Sequence, residues 1–195
     1  MVNLRIGMCG AGSTGKTTIA ESVAVQFCIP FLPSVARSVM VDEWGLDSEM
    51  AFLRLPANEQ DQCQDMLFTR RLQAELTAEQ FVGDRTVLDH AAYRLLHCAA
   101  RMADDDVDDM LEKTVTAMRR LSLVFFFPSG NLAKRNDAFR NGSAGMRSAI
   151  DALIRGMLDR HAIKHVVVPS GDQKSRFAFV DRHVFMWKRT TGGHA

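Results

Sequence analysis

Gly10-Ala11-Gly12-Ser13-Thr14-Gly15-Lys16-Thr17 is the stretch whose reading decides the fold. It has the form GxxxxGK[ST], the phosphate-binding P-loop, and its flanks agree with that reading. A short apolar run at residues 4–9 precedes it and suits a strand; Ile19, Ala20, Val23, Ala24 and Phe27 follow at helical spacing. A strand feeding a glycine-rich turn into a helix aims several backbone N–H groups at one point. The positive end of the helix dipole lies at the same point. Glycines in the turn allow backbone angles and close approaches that a Cβ forbids. The expected ligand is a nucleoside triphosphate, ATP, held by Gly10, Ala11, Gly12, Ser13, Thr14, Gly15, Lys16, Thr17 and Thr18. Lys16 is expected to reach the β- and γ-phosphates and to face solvent without ligand. The Thr17 hydroxyl is expected to ligate Mg²⁺.

The rest of the composition narrows what happens to the γ-phosphate. A chain of 195 residues suits one P-loop domain over residues 1–195, long enough for a real core, with an expected lid at 128–146. Motor and helicase ATPases usually need more chain, so a compact kinase or a small GTPase fits better. A GTPase should show an Asn-Lys-x-Asp base-reading motif after a late strand, and Phe127-Pro128-Ser129-Gly130 shows none. The net charge of +1 gives no global pull toward nucleic acid, though local basic patches are compatible with it. Cys9, Cys28, Cys63 and Cys98 are scattered without CxxC pairing, which points to reduced, mostly buried thiols. The histidines show no ligand spacing. No apolar run approaches the length of a membrane span and no export signal opens the chain, so a cytoplasmic protein is expected, in the host cytoplasm if phage-encoded.

Strands and helices alternate along the chain. Beyond the first strand and helix, residues 29–32 read as a short second strand and 34–44 as a helical stretch. Pro56 introduces a long amphipathic helix over 58–79, with Met66, Leu67, Leu72 and Leu76 at helical spacing. Residues 80–84 read as a third strand ending on a carboxylate; helices follow at 88–101 and 107–120. The unbroken apolar run at 121–127 has the signature of a parallel strand buried on both faces. A polar, glycine-bearing loop at 128–145 leads to a helix ending near residue 161. Residues 164–168 form a fifth strand, and 173–188 a last helix with Phe177, Val180, Val184 and Trp187 on one face. Five strands joined by helices describe an α/β doubly wound parallel sheet with helices on both faces.

Ligands of such sheets bind outside the carboxyl ends of the strands. Asp84 is the first polar residue after an apolar strand, and Arg85 follows it at once. A carboxylate there can hold Mg²⁺ or take a proton from an attacking hydroxyl. The adjacent guanidinium can grip phosphate. Lys16, Asp84 and Arg85 are the expected catalytic residues, with Thr17 and Asp84 for the metal. The loop after the fourth strand carries Lys134, Arg135, Arg140 and Arg147 against one anion, Asp137, which suits closing over polyphosphate. The acidic run at 104–109 reads as the dipole-favoured start of a helix rather than a metal site. Arg70-Arg71 and Arg119-Arg120 read as solvated helix faces.

These residues carry a resemblance. Residues 10–17, Pro30-Phe31 through Ala36-Arg37, and Asp84-Arg85 through Asp89 and Tyr93 resemble the small P-loop nucleoside and nucleotide kinases. The branches most alike are the ribosylnicotinamide-kinase-like AAA-type ATP-binding proteins and the thymidylate-kinase-like enzymes. Asp137-Ala138-Phe139-Arg140 is similar to the D-G-x-R lid of the first branch. The resemblance implies that Asp84-Arg85 contacts Mg²⁺ and the acceptor, and that Arg140 closes over the phosphates as a fourth catalytic residue. It also exposes a departure. Such kinases often carry an acidic residue just after the second strand, where this chain has Pro33-Ser34. Asp84 or Asp89 would have to serve as general base, or the reaction would depend on positioning and Mg²⁺.

The acceptor is nucleotide-type on this reading. The favoured specific acceptor is the hydroxymethyl group of 5-hydroxymethyluracil within phage DNA, by similarity to one group of thymidylate-kinase-like enzymes. The alternatives are a deoxynucleoside monophosphate kinase, a ribosylnicotinamide-type nucleoside kinase and, outside kinases, a regulatory P-loop NTPase. A free nucleotide should be enclosed by the segments 31–44 and 53–64, whereas a base in DNA needs a more open groove and local positive charge.

Overall fold

The apolar run after residue 121 becomes the strand that shows how the sheet is covered. In the computed structural model, which describes residues 3–129 and 144–191, it forms β4 (Leu123–Phe126). Val124 and Phe126 enter one apolar cluster and Phe125 enters another, as period-two alternation requires. The other strands are β1 (Arg5–Cys9), β2 (Phe31–Leu32), β3 (Phe81–Asp84) and β5 (Val166–Val167). They lie in the order β2-β3-β1-β4-β5, every pair parallel, with Met8 beside Asp84 and Cys9 beside Phe126.

Helices cover both faces. α1 (Lys16–Phe27) and α7 (Gln173–Thr191) bury Ile19, Val23, Val180 and Val184 with Ile6, Met8 and Phe125. On the other face α3 (Ala57–Thr77), α4 (Val87–Cys98), α5 (Asp104–Met118) and α6 (Ala144–Arg160) bury Phe68, Leu88, Met118 and Ile154 with Cys9, Val124 and Phe126. A third cluster of Val39, Leu46, Phe52, Cys63 and Leu67 sits beside the sheet. It joins a π-helical turn at Ser38–Glu43, the short α2 (Glu49–Leu53) and the start of α3.

The sequence reading locates every strand. It misses α2, whose five residues are too short for periodicity to reveal. It also reads one face of α3 wrongly. The buried stripe there is Cys63, Gln64, Leu67, Phe68, Arg71 and Glu75, while Leu76 is exposed. Arg71 therefore does not lie on a solvated face. Its neighbour Arg70 does, paired with Glu43, and Arg119 and Arg120 are exposed. Asp104, Asp105 and Asp106 fill the first turn of α5, where the helix dipole favours them. Lys134, Arg135, Asp137 and Arg140 lie outside the described residues. The four cysteines are free, with only Cys28 exposed. Among the described residues no helix is long and apolar enough to cross a membrane.

Because β4 is buried on both faces, Phe125→Ala and Phe126→Ala should each cost about 3–5 kcal/mol. Urea unfolding checks this. A small loss for either one would mean that its face is not packed.

Candidate active site

β1 ends against β4, and the turn that follows is shaped by that contact. Gly10 has φ 132°, and a Cβ there would run into the Phe127 carbonyl oxygen. Only glycine fits. The turn is then held by side chains from three other elements. The Gly10 amide donates to Asp89 Oδ1 (2.9 Å) and the Ala11 amide to Asp151 Oδ1 (3.1 Å). Arg176 Nη1 donates to the Thr14 carbonyl (2.6 Å), with its guanidinium carbon 5.0 Å from the centre of the Phe127 ring. Gly15, at φ 79°, opens α1.

Lys16 does not face solvent. It is 5% exposed, and its ammonium donates to the carbonyls of Gly10 (2.7 Å) and Ala11 (2.6 Å) and to Thr14 Oγ1 (2.9 Å). The loop's own oxygens take the donors that water would otherwise satisfy, which makes burial tolerable. Burial pushes the ammonium from its usual 10.5 down to about 8, helped by the Arg85 charge and opposed by Asp89 and Asp84.

The neighbouring strand supplies the carboxylate. Asp84 closes β3, and the Thr17 hydroxyl donates to its Oδ2 at 2.8 Å. Two oxygen donors thus meet at the mouth of the P-loop, a set that suits a hard cation such as Mg²⁺. Arg85 follows in a left-handed turn, φ 73°. Its guanidinium carbon lies 5.2 Å from the centre of the Tyr93 ring. Ala11, Gly12, Ser13, Gly15 and Thr18 take their places in the same loop and the first turn of α1. Arg140 falls outside the described residues.

Asp89 is removed from the list of proton acceptors. It is fully buried, and its Oδ2 accepts from the Thr86 amide (2.8 Å) and hydroxyl (2.9 Å), forming the capping box of α4. With Oδ1 on Gly10, both oxygens serve the backbone.

A cavity of about 400 Å³ opens beside the loop. Gly12 to Thr17, Asp84 and Arg85 form one side. Phe31, Pro33, Ser34, Ala36, Arg37 and Met40, then Phe52, Gln64 and Leu67, form the other, with His90, Tyr93 and His97 from α4 between them. Tyr93 and His97 are stacked, with ring centres 6.3 Å apart, and Phe52 meets His97 edge-on at 5.3 Å. Glu21 of α1 and Met146 and Arg147 of α6 complete the lining. His90 is 4% exposed and its Nε2 has no partner. Burial, with Arg85 and Arg71 nearby, holds its imidazole well below the usual 6.5. His90, Asp151 and Arg176 escaped the sequence reading. His90 directly follows Asp89 on a helix that enters the site, which was its only signal; Asp151 and Arg176 meet the loop through contacts far apart in sequence.

A family model described as an AAA domain matches residues 5–176, and the chain belongs to that family. Among solved structures, the NadR protein in complex with NR aligns at TM-score 0.66 and 15% identity, over 100% of this chain and 52% of that one. The deoxyadenosine kinase from M. mycoides with bound dCTP aligns at TM-score 0.64 and 11% identity, over 94% of this chain and 100% of that one. Shikimate kinase from Acinetobacter baumannii in complex with shikimate aligns at 0.56 and 9%, over 97% and 95%. The chain spans about half the length of the NadR chain. At such identities the likeness is one of fold, that of the small P-loop kinases. No curated protein matches the sequence.

The His90 environment has a consequence for stability. Its native pKa is depressed, so below about pH 6.5 the unfolded state binds a proton that the native state refuses. Stability is lost as pH falls through that range, by up to about 1.4 kcal/mol per pH unit. His90→Gln should flatten the acid side of the stability profile, measured by urea unfolding between pH 7 and 5. A profile parallel to wild type would mean that His90 is freely protonated in the fold.

Proposed function

We propose that the chain transfers the γ-phosphate of ATP to a hydroxyl of a small, free nucleoside-type acceptor. The observation that carries this reading is the single cavity in which the P-loop, Asp84 and Arg85 face an aromatic wall. Its volume of about 400 Å³ falls in the range of small-molecule sites. Phe31, Phe52 and Tyr93 give the cavity an aromatic lining that suits a planar ring. Of the segments expected to enclose a free acceptor, 31–44 lines the cavity from Phe31 to Met40, whereas 53–64 contributes Gln64, beside Phe52 and Leu67.

In this reading the loop amides cradle the polyphosphate while Lys16 leaves its loop oxygens for the β- and γ-phosphates. Thr17 and Asp84 would hold Mg²⁺, which when bound neutralises charge on the phosphates. Arg85 lies where a guanidinium can reach the transferring group. Phosphoryl transfer has a loose transition state, so positioned charge matters more than a strong base. That suits a site with Pro33-Ser34 in place of a carboxylate and with Asp89 committed to the backbone.

The neighbouring structures support the acceptor class: one is a complex with NR and another has bound dCTP. A monophosphate acceptor is the second reading, favoured by Arg37 and Arg147 in the cavity wall. The 5-hydroxymethyluracil of DNA fits less well. It would have to enter flipped out of its strand with phosphates on either side, onto a chain whose net charge is +1.

Labelled ATP, offered with free nucleosides, nucleoside monophosphates and 5-hydroxymethyluracil DNA, tests the proposal. Label on a free nucleoside supports it. Label on DNA alone would overturn the free-acceptor reading, and hydrolysis with no labelled acceptor would point to a regulatory NTPase. Lys16→Met, which keeps the buried stem, and Asp84→Asn should each lower kcat by about 10²-fold or more. Asp84→Asn should leave ATP affinity nearly unchanged in a calorimetric titration.

A further inference from the structure

We infer that Arg71 is a positioning residue for phosphoryl transfer: its buried guanidinium fixes the turn that presents Arg85 and ties that turn to the acceptor wall at Pro33. The inference rests on the reading of Arg85 as a phosphate contact.

Arg71 has no exposed surface. Its Nε donates to Glu75 Oε1 (2.7 Å), its Nη1 to the Pro33 carbonyl (3.0 Å) and its Nη2 to the Arg85 carbonyl. The same Glu75 oxygen accepts the Val87 amide (2.9 Å) at the start of α4. One ion pair therefore braces the chain after β2, the turn after β3 and the first turn of α4. Gly83 makes room for it, since a Cβ there would strike Arg71 Nη2.

The brace meets a backbone that needs one. Arg85 sits at φ 73°, a conformation disfavoured for any residue with a side chain. That turn sends its guanidinium over Tyr93 and toward the P-loop; Nη2 lies 3.8 Å from where a Cβ on Gly12 would be. A buried ion pair is seldom the best way to fill a core, and an apolar pair of the same size often stabilises as well. Here the fork does what an apolar pair could not: it directs separate N–H groups at two carbonyls in the site. Pro33 lines the acceptor side of the cavity and Arg85 the phosphate side, so Arg71 sets the spacing between them.

The test uses Tyr93, the only tyrosine in the chain. In full-length protein labelled with [¹³C]tyrosine, its Cζ resonance reports the guanidinium above the ring without need of any substrate. Arg85→Ala should move this resonance. Arg71→Lys, which keeps the charge but cannot reach both carbonyls, should move it the same way. Arg71→Gln/Glu75→Gln, which leaves no unpaired buried charge, is the second variant should the first fail to fold. In the labelled-ATP assay Arg71→Lys should lower kcat by about 10-fold or more while ATP affinity changes by less than about 3-fold. Added to Arg85→Ala, it should cause little further loss. A wild-type Tyr93 resonance in either folded variant would overturn the inference, as would a full additional loss of kcat in the combined variant. If the resonance moves in the variants while wild type labels no acceptor, the kinase reading fails and the placement of Arg85 by Arg71 stands.

Discussion

The buried carboxylate of Asp89 is the joint on which the site depends. It caps α4 through Thr86 and, with its other oxygen, holds the Gly10 amide. The first turn of α4 and the first residue of the P-loop thus share one side chain. Gly10 is also pressed against the Phe127 carbonyl, and that contact fixes the loop to β4. The consequence is geometric: α4, which carries His90, Tyr93 and His97, cannot shift without moving the loop. The aromatic side of the cavity and the P-loop are thereby joined through one side chain.

How much of this was legible depended on how local the cause was. The P-loop was legible because strand, turn and helix are written in one continuous segment, and Gly10 and Gly15 take backbone angles that favour glycine; the burial of Lys16 was not. Asp84 and Arg85 were legible from their place after an apolar strand together with the rule that parallel sheets bind at their carboxyl ends. β4 was legible because burial on both faces leaves no polar position from Leu123 to Phe127. Arg71 was misread for an equally physical reason. A charged residue on an amphipathic helix faces water unless its pairing satisfies it, and here its partners include Pro33 and Arg85, in other parts of the chain. The Glu75 partner four residues on was a local hint, since such a pair stacks on one helix face, directly in line with Leu67. Asp151 and Arg176 left no hint, for their contacts with the loop span 140 and 162 residues.

The charges around the loop form a closed set before any ligand arrives. Lys16, Arg85, Arg71 and Arg176 stand against Asp84, Asp89, Asp151 and Glu75, and nearly all of these groups are partly or fully buried. The carboxylates differ in what they are free to do. Asp89 and Asp151 are spent on backbone amides and Glu75 on Arg71 and Val87. Among the described residues Asp84 is held by no backbone amide; its hydrogen-bond partner is the Thr17 hydroxyl. A hydroxyl can turn and donate elsewhere at little cost, whereas an amide locked in a helix start cannot. This difference supports the proposal that Asp84 takes a cation.

The same comparison applies to the cations. Arg71 and Arg176 each donate to a backbone carbonyl that has no other charged partner, and moving either would leave a buried acceptor unsatisfied. Lys16 also donates to carbonyls, but from a flexible stem with three equivalent donors. Phosphate oxygens would offer it an ionised acceptor in place of a neutral carbonyl. Lys16 thus differs from Arg71 and Arg176 in the freedom of its stem, and its burial in the free protein is compatible with the proposed role on the phosphates.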